Sequence, residues 1–379
     1  MRFLFVAPRF HTNQHFIVKA LQERGHQVMF LVSVRGQSEE YSVLTPELLA
    51  PSSLSRLLNR LAFRNRDSFF YSRSMVPDLV AGYRFLKRYR PDVVIVRNPD
   101  FLPSFFFLLL AMLLRHNIVI YTQDAKFRPH IPVKMRLLRA ILLDICGYAW
   151  ITPVLGEKTT LSPNRSGLYY LPFIYDGKKS IERPPQPGNR IGILCVGKFE
   201  PRKNHLLLLA ALEGMWSRYP LHLSLVGESS IPEHARQLDL ITQYIRKRRL
   251  EDRVTIRVNL SFSEMQQEYE KNQLFVLPST REPAAVSLVE AMGHGLAVIC
   301  SSANGTRCYL REDVNGYVFA DGNAEDLAMK IEKAISSPQK LASLREKSLL
   351  MVRKHHDPEK YHAALMAILR KHFQLSLPV

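Results

Sequence analysis

Short apolar runs alternate with stretches of helical periodicity along the whole chain, and this order constrains the fold more than any other feature. The run RFLFVA opens the sequence, residues 15–23 show helical spacing, and the run HQVMFLVSV follows. The same order returns in a predicted strand 92–97, helix 103–115 and strand 117–122. Runs that are apolar on both faces are typical of a parallel sheet covered by helices. The sequence therefore predicts an α/β protein.

A proline-rich, charged stretch at residues 175–189, YDGKKSIERPPQPGN, interrupts this alternation and predicts a linker. The pattern then resumes with strands at 191–196, 222–226, 254–258, 274–277 and 297–300, with helices at 204–216, 232–247, 263–269 and 287–293, and with helical patterns from Ala324 onward. We expect two doubly wound, Rossmann-like domains, residues 1–174 and 190–355, that face each other across a cleft. Residues 356–379 are expected to form a terminal helix that can cross back to the first domain.

The length of the chain agrees with two domains, and the two halves differ in net charge. A single hydrophobic core seldom supports 379 residues. The formal charge is +18, and residues 1–188 hold 26 basic and 13 acidic side chains against 26 and 21 in the remainder. The first half is expected to attract polyanions or anionic lipid, unless its charge serves only solubility. Four scattered cysteines do not fit a disulfide framework or a Cys-x-x-Cys metal site, so reduced thiols are expected.

Two segments of the first half suggest contact with a membrane surface. Residues 55–73 interleave leucines and aromatic residues with Arg56, Arg60, Arg64, Arg66 and Arg73. An amphipathic basic helix of this kind can lie in an anionic interface, and a solvated face or a nucleic-acid contact are the alternatives. The longest apolar run, FFFLLLAMLL at 105–114, is too short to span a bilayer and predicts either a buried or a membrane-facing helix. Because Met1–Ala7 does not resemble a signal peptide, we expect a cytoplasmic protein that is soluble or associates peripherally with the inner face of the membrane.

The first candidate functional loop follows the predicted strand 191–196 and reads GKFEPRKN. In parallel α/β sheets, ligands bind beyond the carboxyl ends of the strands. Gly197 permits a tight turn, and Lys198 and Lys203 flank a helix start with free backbone N–H groups. This combination favours a phosphate or a diphosphate, and a solvated basic loop is the alternative.

The second candidate loop contains two glutamates with seven residues between them. Glu282 lies in the loop and Glu290 lies on the following helix. Carboxylates can accept hydrogen bonds from the hydroxyl groups of a ligand, and the small residues that follow Glu282 leave backbone N–H groups accessible. The alternative is that one glutamate caps the helix and the other lies on the surface.

The two loops occur in a longer ordered set of motifs. GKFEPRKN is followed by Val226-Gly227-Glu228, by the E-x7-E element, by GLAVI at 295–299 and by NGYV at 315–318. This order and spacing resemble the C-terminal half of the retaining glycosyltransferases of family 4, which have the GT-B fold. The resemblance covers roughly residues 190–335.

The resemblance implies a role for each matching residue. Lys198 and Lys203 would neutralise the diphosphate of a nucleotide-sugar donor, Glu282 would approach the donor sugar as a catalytic group, and Glu290 would hold the ribose hydroxyls. The remaining donor contacts implied are Gly197, Arg202, Gly227, Pro283, Ala284, Ala285 and Val286. Cationic side chains would then stabilise the charge that develops on the leaving diphosphate, so no metal ion and no cofactor is expected.

The chain departs from the family pattern in two places. Many members carry Phe-Gly where this chain has Ala284-Ala285, and the loop Pro8–Gln14 lacks the usual glycine pair. A residue with a Cβ restricts the backbone more than glycine does, so these loops are expected to contact the sugar differently.

The acceptor side is predicted from position at the carboxyl ends of the first-half strands. The candidates are His11, Asn13, Arg97, Gln123, Asp124 and His130. Either Asp124 or His130 could assist the acceptor hydroxyl, and a structural role such as capping is the alternative.

The motifs and the charge together predict a transferase that moves a sugar from a nucleotide sugar to a hydroxyl of a lipid-linked glycan, another glycolipid or a polysaccharide, as in lipopolysaccharide assembly. One rival interpretation is an epimerase or hydrolase of nucleotide sugars on the same fold. Another is a non-catalytic, basic nucleic-acid-binding protein, but the chain shows no signature of that class and the E-x7-E element has no purpose in it.

Overall fold

The chain divides into two compact units, Met1–Pro172 with Pro358–Val379, and Phe173–Asp357. The structure is a computed structural model that describes residues 1–36, 39–62, 67–127, 133–158, 160, 165–176 and 190–374. The predicted linker therefore lies outside the described residues except at 175–176.

The first unit is built on a parallel seven-stranded sheet in the order β3-β2-β1-β4-β5-β6-β7. Its strands are β1 Arg2–Ala7, β2 Gln27–Val32, β3 Glu47–Leu48, β4 Val93–Arg97, β5 Ile118–Tyr121, β6 Ala149–Thr152 and β7 Leu168–Tyr170. Its helices are α1 Thr12–Gln22, α2 Ser53–Leu61, α3 Asp67–Arg73, α4 Leu79–Tyr89, α5 Leu102–Leu113, α6 Val133–Arg139 with a π-helical continuation Ala140–Ile145, and α13 Pro358–Phe373.

Side chains alternate between the two faces of the sheet along each strand, and in β1 the side chains on both faces are buried. Leu4 and Val6 share one core with Val94 and Val96, and α3, α4, α5 and the π-helical segment contribute buried residues to the same core. Helices α1 and α13 pack against each other, and α13 also contacts β6. The last helix of the chain thus belongs to the first unit.

The second unit carries a parallel six-stranded sheet in the order β10-β9-β8-β11-β12-β13. Its strands are β8 Ile191–Val196, β9 Leu221–Gly227, β10 Val254–Val258, β11 Leu274–Leu277, β12 Ala297–Ser301 and β13 Gly316–Phe319. Its α-helices are α7 His205–Leu212, α8 Pro232–Lys247, α9 Phe262–Lys271, α10 Val286–Gly293, α11 Ala324–Ala334 and α12 Pro338–His355, and 3₁₀ turns occur at Pro201–Lys203 and Gly305–Tyr309.

The predicted α/β class is confirmed, and the described strands follow the apolar runs closely. The helix predicted at 204–216 instead begins after a 3₁₀ turn and ends at Leu212, ahead of turns around Gly214. Strands β3, β6 and β13 and helices α4 and α6 were not predicted. Strand β6 has only four residues, and α4 begins at an Asp78 cap directly after Pro77.

The apolar helix α5 is neither fully buried nor fully exposed. Phe107, Leu108 and Ala111 face the core, whereas Leu109 and Leu113 lie on its exposed side. Among the described helices, none is both long and apolar enough to cross a bilayer.

Strand β13 begins at a glycine position where the sheet leaves no room for a side chain. Gly316 pairs with Val298, and a Cβ built on Gly316 would lie 2.0 Å from the Val298 carbonyl oxygen. Gly316→Ala should therefore lower the free energy of unfolding by about 2 kcal/mol, because the clash is with backbone. Gly214→Ala is the matched control, since nothing lies within 4 Å of its Cβ position. Calorimetric melting of both variants checks this, and equal midpoints would contradict it.

Candidate active site

The loops at the carboxyl end of the second sheet hold one another in place through backbone hydrogen bonds. Phe199 N–H donates to the Glu228 carbonyl at 3.2 Å, and Thr280 N–H donates to the Arg202 carbonyl at 2.9 Å. Parallel strands end at the same edge of a sheet, so the loops after β8, β9 and β11 meet there. The structure thus brings both candidate loops of the second half together.

Two glycines allow these loops to approach closely. A Cβ on Gly227 would lie 2.2 Å from the Gly197 carbonyl oxygen, and a Cβ on Gly197 would lie 3.0 Å from the Lys203 side chain. Neither position tolerates a larger residue without movement. The glycines therefore set the distance between the loops and the path of the Lys203 side chain.

Glu282 lies at the centre of an ion-pair cluster. Its Oε2 accepts hydrogen bonds from Lys203 Nζ at 2.5 Å and from Arg202 Nη1 at 2.8 Å. Burial alone raises the pKa of this carboxyl, but the charges of Lys203 and Arg202 outweigh burial and the net shift of the pKa is downward. Glu282 is therefore ionised at neutral pH and partly compensates two cations.

The backbone beside this cluster adopts conformations that residues with a Cβ rarely take. Arg281, which precedes Glu282, has φ 49°, and Asn204, which follows Lys203, has φ 52°. Left-handed conformations of this kind cost about 1 kcal/mol each in non-glycine residues. Such strain is often found at functional sites, where the surrounding structure imposes it.

Lys198 is separate from the Glu282 cluster. Its Nζ lies 3.5 Å from a carboxylate oxygen of Glu228, and its side chain is about one third exposed. Glu200 binds Arg202 from the other side at 2.7 Å. The sequence analysis did not identify Glu228 as the partner of Lys198 or Glu200 as a partner of Arg202.

The N-terminus of α10 lies next to Glu282 in the chain. Ala284 and Ala285 are buried, and Ala285, the N-cap residue, makes no side-chain hydrogen bond to the helix. The N–H groups of the first helical turn have no partner inside the helix and carry the positive end of its dipole. The N-terminus of α10, which the short segment Pro283 to Val286 leads into, therefore favours a bound anion.

Glu290 is buried on α10 and interacts with aromatic groups. Its Oε2 accepts a hydrogen bond from the Tyr269 hydroxyl at 2.8 Å, and His294 stacks on the Tyr269 ring. Burial raises the pKa of Glu290, the hydrogen bond from Tyr269 lowers it by less, and the resulting pKa is about 7. The carboxyl is therefore poised to change its charge near neutral pH. Tyr269, at the C-terminal end of the polar helix α9, was missed because the sequence does not show that α9 places it against Glu290 of α10.

Two predicted acceptor-side residues meet in the first unit. Asn13 accepts a hydrogen bond from Arg97 at 3.4 Å and donates one to the Tyr121 hydroxyl at 3.2 Å. Arg97 is buried and lies over the Tyr121 ring. Burial raises the pKa of Tyr121, and the charge of Arg97 and the hydrogen bonds with Asn13 and Gln123 offset part of this rise. Asn13, Arg97 and Gln123 thus share one neighbour, Tyr121, that the sequence did not single out.

The structure gives other contacts for Asp124 and His11. Asp124 lies 3.9 Å from the buried Arg139, whose guanidinium covers the Trp150 ring. His11 is the N-cap of α1, and its backbone N–H donates to Gln14. His130 lies outside the described residues. Within the described ranges, no group of three or more His, Cys, Asp or Glu is placed to hold a metal ion.

Residues 176–350 match the family model for "glycosyl transferases group 1". The matched residues lie within the second unit, which is therefore similar to group 1 glycosyl transferases. The match contains both loops, the Glu282 cluster and Glu290.

Curated relatives align over a similar part of the chain. An uncharacterised glycosyltransferase of Haemophilus influenzae is 26% identical over 164 residues, which is 42% of this chain and 43% of that protein. A GDP-mannose-dependent α-1,2-mannosyltransferase of Dictyostelium discoideum that acts on Man(3)GlcNAc(2)-PP-Dol is 22% identical over 200 residues, 50% and 38% of the two chains. The alignments thus span about two fifths of the length of these relatives.

Solved structures match the chain over nearly its whole length. A glycosyltransferase of Rickettsia africae has a TM-score of 0.73 at 15% identity, covering 99% of both chains. The Anabaena protein HepE, solved with UDP and glucose, has a TM-score of 0.73 at 16% identity, covering 98% of this chain and all of that one. The lipopolysaccharide outer core galactosyltransferase WaaB has a TM-score of 0.66 at 17% identity over 98% and 100%. These matches confirm the predicted GT-B fold.

The raised pKa of Glu290 predicts a pH-dependent stability that a neutral residue removes. The folded state binds the Glu290 proton more tightly than the unfolded state, so its contribution to stability is complete below pH 4.5 and is lost as the pH rises to about 7. Glu290→Gln keeps the acceptor for Tyr269 and carries no charge. Its melting temperature should rise relative to the wild type between pH 5 and pH 8.

The control for this experiment is Glu346→Gln, at an exposed position on α12. Its melting temperature should follow the wild type at every pH. A Glu290→Gln difference that is the same at pH 5 and pH 8 would contradict the assignment.

Proposed function

We propose that the protein is a retaining, metal-independent hexosyltransferase of family 4. It would transfer a sugar from a nucleoside-diphosphate sugar to a hydroxyl of a lipid-linked glycan, another glycolipid or a polysaccharide. The observation that carries this proposal is the Lys203–Glu282–Arg202 cluster beside the uncapped N-terminus of α10, in a domain similar to group 1 glycosyl transferases. Retention is inferred from the resemblance of the E-x7-E element to family 4.

Lys203 and Arg202 are the groups that would stabilise the leaving diphosphate. Cleavage of the bond between the anomeric carbon and the phosphate oxygen leaves negative charge on that oxygen. Two cations and the dipole of α10 that are fixed before the reaction lower the energy of this charge without reorganisation. Glu282 and Glu200 balance these two cations in the empty site, and a bound diphosphate would share the cations with the carboxylates.

Glu282 has two roles in this proposal. Without donor, it binds the Lys203 and Arg202 side chains and holds them at the site. With donor bound, these cations are shared with the diphosphate, and the carboxylate lies near the sugar hydroxyls, which can donate to it.

Glu290 would bind the ribose of the donor. Its Oε2 is occupied by Tyr269, and the other carboxylate oxygen can accept a ribose hydroxyl. A hydrogen bond from ribose favours the ionised carboxylate and lowers its pKa. Donor binding is then accompanied by proton release from Glu290 near neutral pH.

The acceptor and the location are inferred from the first unit and from the relatives. The excess of basic residues in the first half favours an anionic surface, and the mannosyltransferase and WaaB are named for acceptors that are anchored in membranes. We place the protein in the cytoplasm, peripherally bound to the inner face of the cytoplasmic membrane. We assign Asn13, Arg97 and Gln123 to the acceptor side because all three interact with Tyr121.

Replacing Lys203 tests the proposed chemistry. Lys203→Ala should lower the turnover of donor by roughly 100-fold, because a fixed cation is lost where charge develops. The assay follows release of the nucleoside diphosphate in EDTA with a polyprenyl-linked or lipopolysaccharide acceptor, and NMR of the product reports the anomeric configuration. Activity that requires added metal, or an inverted product, would contradict the corresponding part of the proposal.

The matched control is Lys347→Ala, at an exposed lysine of α12. It should retain wild-type turnover, and circular dichroism should show that both variants are folded. Product formed without any acceptor would support an epimerase or hydrolase instead.

A further inference from the structure

Helix α2 exposes its apolar side and buries its polar side. Leu54, Leu57, Leu58 and Leu61 follow the i, i+3, i+4, i+7 spacing of one helix face, which we call the leucine face. Their exposed fractions are 59%, 52%, 41% and 73%, whereas Ser55 and Asn59 on the opposite side are buried at 0% and 2%. A helix of a water-soluble protein normally has the reverse orientation.

Hydrogen bonds fix this orientation. The Ser55 hydroxyl donates to the Val76 carbonyl at 3.0 Å and accepts from the Val76 N–H at 2.8 Å. The Ser52 hydroxyl caps the helix by accepting from the Ser55 N–H. Rotating α2 to bury the leucine face would break the two Ser55 bonds to Val76. The outward orientation therefore follows from specific bonds on the inner side.

The exposed apolar surface continues from α2 to the start of α4. The Ser52 N–H donates to the Val76 carbonyl and the Asp78 N–H donates to the Ala50 carbonyl, so the chain ahead of α2 pairs with the chain ahead of α4. Helix α4 begins directly after Asp78 and exposes Leu79 and Val80 in its first turn.

The charged side chains of α2 and α4 have a single sign, and the nearest carboxylate in the chain, Asp78, caps the N-terminus of α4. Arg56 and Arg60 are exposed on α2, and the segment Ser53–Leu61 contains no acidic residue. In helix α4, Arg84, Lys87 and Arg88 are exposed, and Leu79–Tyr89 contains no acidic residue either. Leucines that face outward between arginines are suited to a surface that is apolar inside and anionic at its boundary.

We propose that α2 inserts its leucine face into the interface of an anionic lipid bilayer, with Arg56 and Arg60 bound to lipid phosphates. The first turn of α4 extends the inserted surface through Leu79 and Val80. This inference rests on the proposed function for the presence of a membrane-bound acceptor, but lipid binding by α2 requires neither donor nor acceptor.

A second copy of the chain fits this surface less well. Two leucine faces packed together would bring Arg56 and Arg60 of one helix near the same residues of the other. No acidic residue of α2 or α4 is available to compensate them. Phosphate groups of a bilayer supply the missing negative charge.

The test measures partition of the full-length protein onto vesicles of phosphatidylcholine alone and of phosphatidylcholine with phosphatidylglycerol. The double variant Leu54→Ser/Leu61→Ser should bind the anionic vesicles at least about 10-fold more weakly than the wild type, because it removes the two most exposed residues of the leucine face. The matched control is Leu240→Ser/Leu350→Ser, which changes two exposed leucines of the second unit. This control should bind as the wild type does.

The charge contribution is tested separately. Arg56→Gln/Arg60→Gln should lose roughly 5-fold in affinity for each arginine on anionic vesicles and little on neutral ones. Arg236→Gln/Arg246→Gln, on exposed positions of α8, removes the same charge elsewhere and should have a smaller effect. Leu58→Trp adds a local probe, whose emission should shift to the blue and be quenched by brominated lipid.

The outcomes separate this inference from the proposed function. Equal vesicle binding by wild type and Leu54→Ser/Leu61→Ser would overturn the inference, as would a dimer that the same variant dissociates in the absence of lipid. Thermal shifts by nucleotide sugars are measured on the same proteins. If Leu54→Ser/Leu61→Ser still binds nucleotide sugars but no longer binds vesicles, the role of α2 is supported. If the wild type binds no nucleotide sugar, the proposed function is refuted instead.

Discussion

The buried ion pair between Lys203 and Glu282 is the interaction on which the site depends. Removing one member of a buried pair leaves an uncompensated charge and typically costs 3–5 kcal/mol, so these two groups constrain each other. The loops that carry them come from different strands, β8 and β11, and are fixed by the Thr280–Arg202 backbone bond. Gly197 and Gly227 are required because the Lys203 chain and the neighbouring loop occupy the space a Cβ would need. Left-handed backbone at Arg281 and Asn204 is the local cost of this arrangement.

The same pair explains how one site can be stable when empty and still bind a polyanion. A cluster of basic residues without carboxylates would repel itself, whereas paired cations keep their position and can exchange a carboxylate for a phosphate oxygen. Glu282 and Glu200 balance the charges of Lys203 and Arg202, and the N-terminus of α10 adds the positive end of its dipole. Glu290 differs, because burial raises its pKa and the hydrogen bond from Tyr269 offsets only part of this rise, so it holds a proton more tightly.

The sequence predicted the sheet elements well because their cause is local. Apolar runs such as 191–196 and 274–277 are strands of the same bounds in the structure, and GKFEPRKN does connect a strand to a helix. Partners far apart in the chain could not be predicted: Tyr269 for Glu290, Tyr121 for Asn13 and Arg139 for Asp124 depend on how elements pack. For residues 55–73 the sequence predicted one basic amphipathic segment, whereas the structure has the separate helices α2 and α3. Periodicity shows that α2 has an apolar face, but only the Ser55 bonds to Val76 show that this face points outward.

The most direct test of the account is a calorimetric titration in EDTA with UDP, GDP and ADP, each compared with its nucleoside. If Lys203, Arg202 and the N-terminus of α10 bind the diphosphate, one of the three should bind at least about 100-fold more tightly than its nucleoside. In Lys203→Met most of that difference should disappear while the nucleoside affinity stays the same. Equal affinities for diphosphate and nucleoside in the wild type, or a difference that Lys203→Met leaves unchanged, would contradict the assignment of this cluster as the diphosphate site.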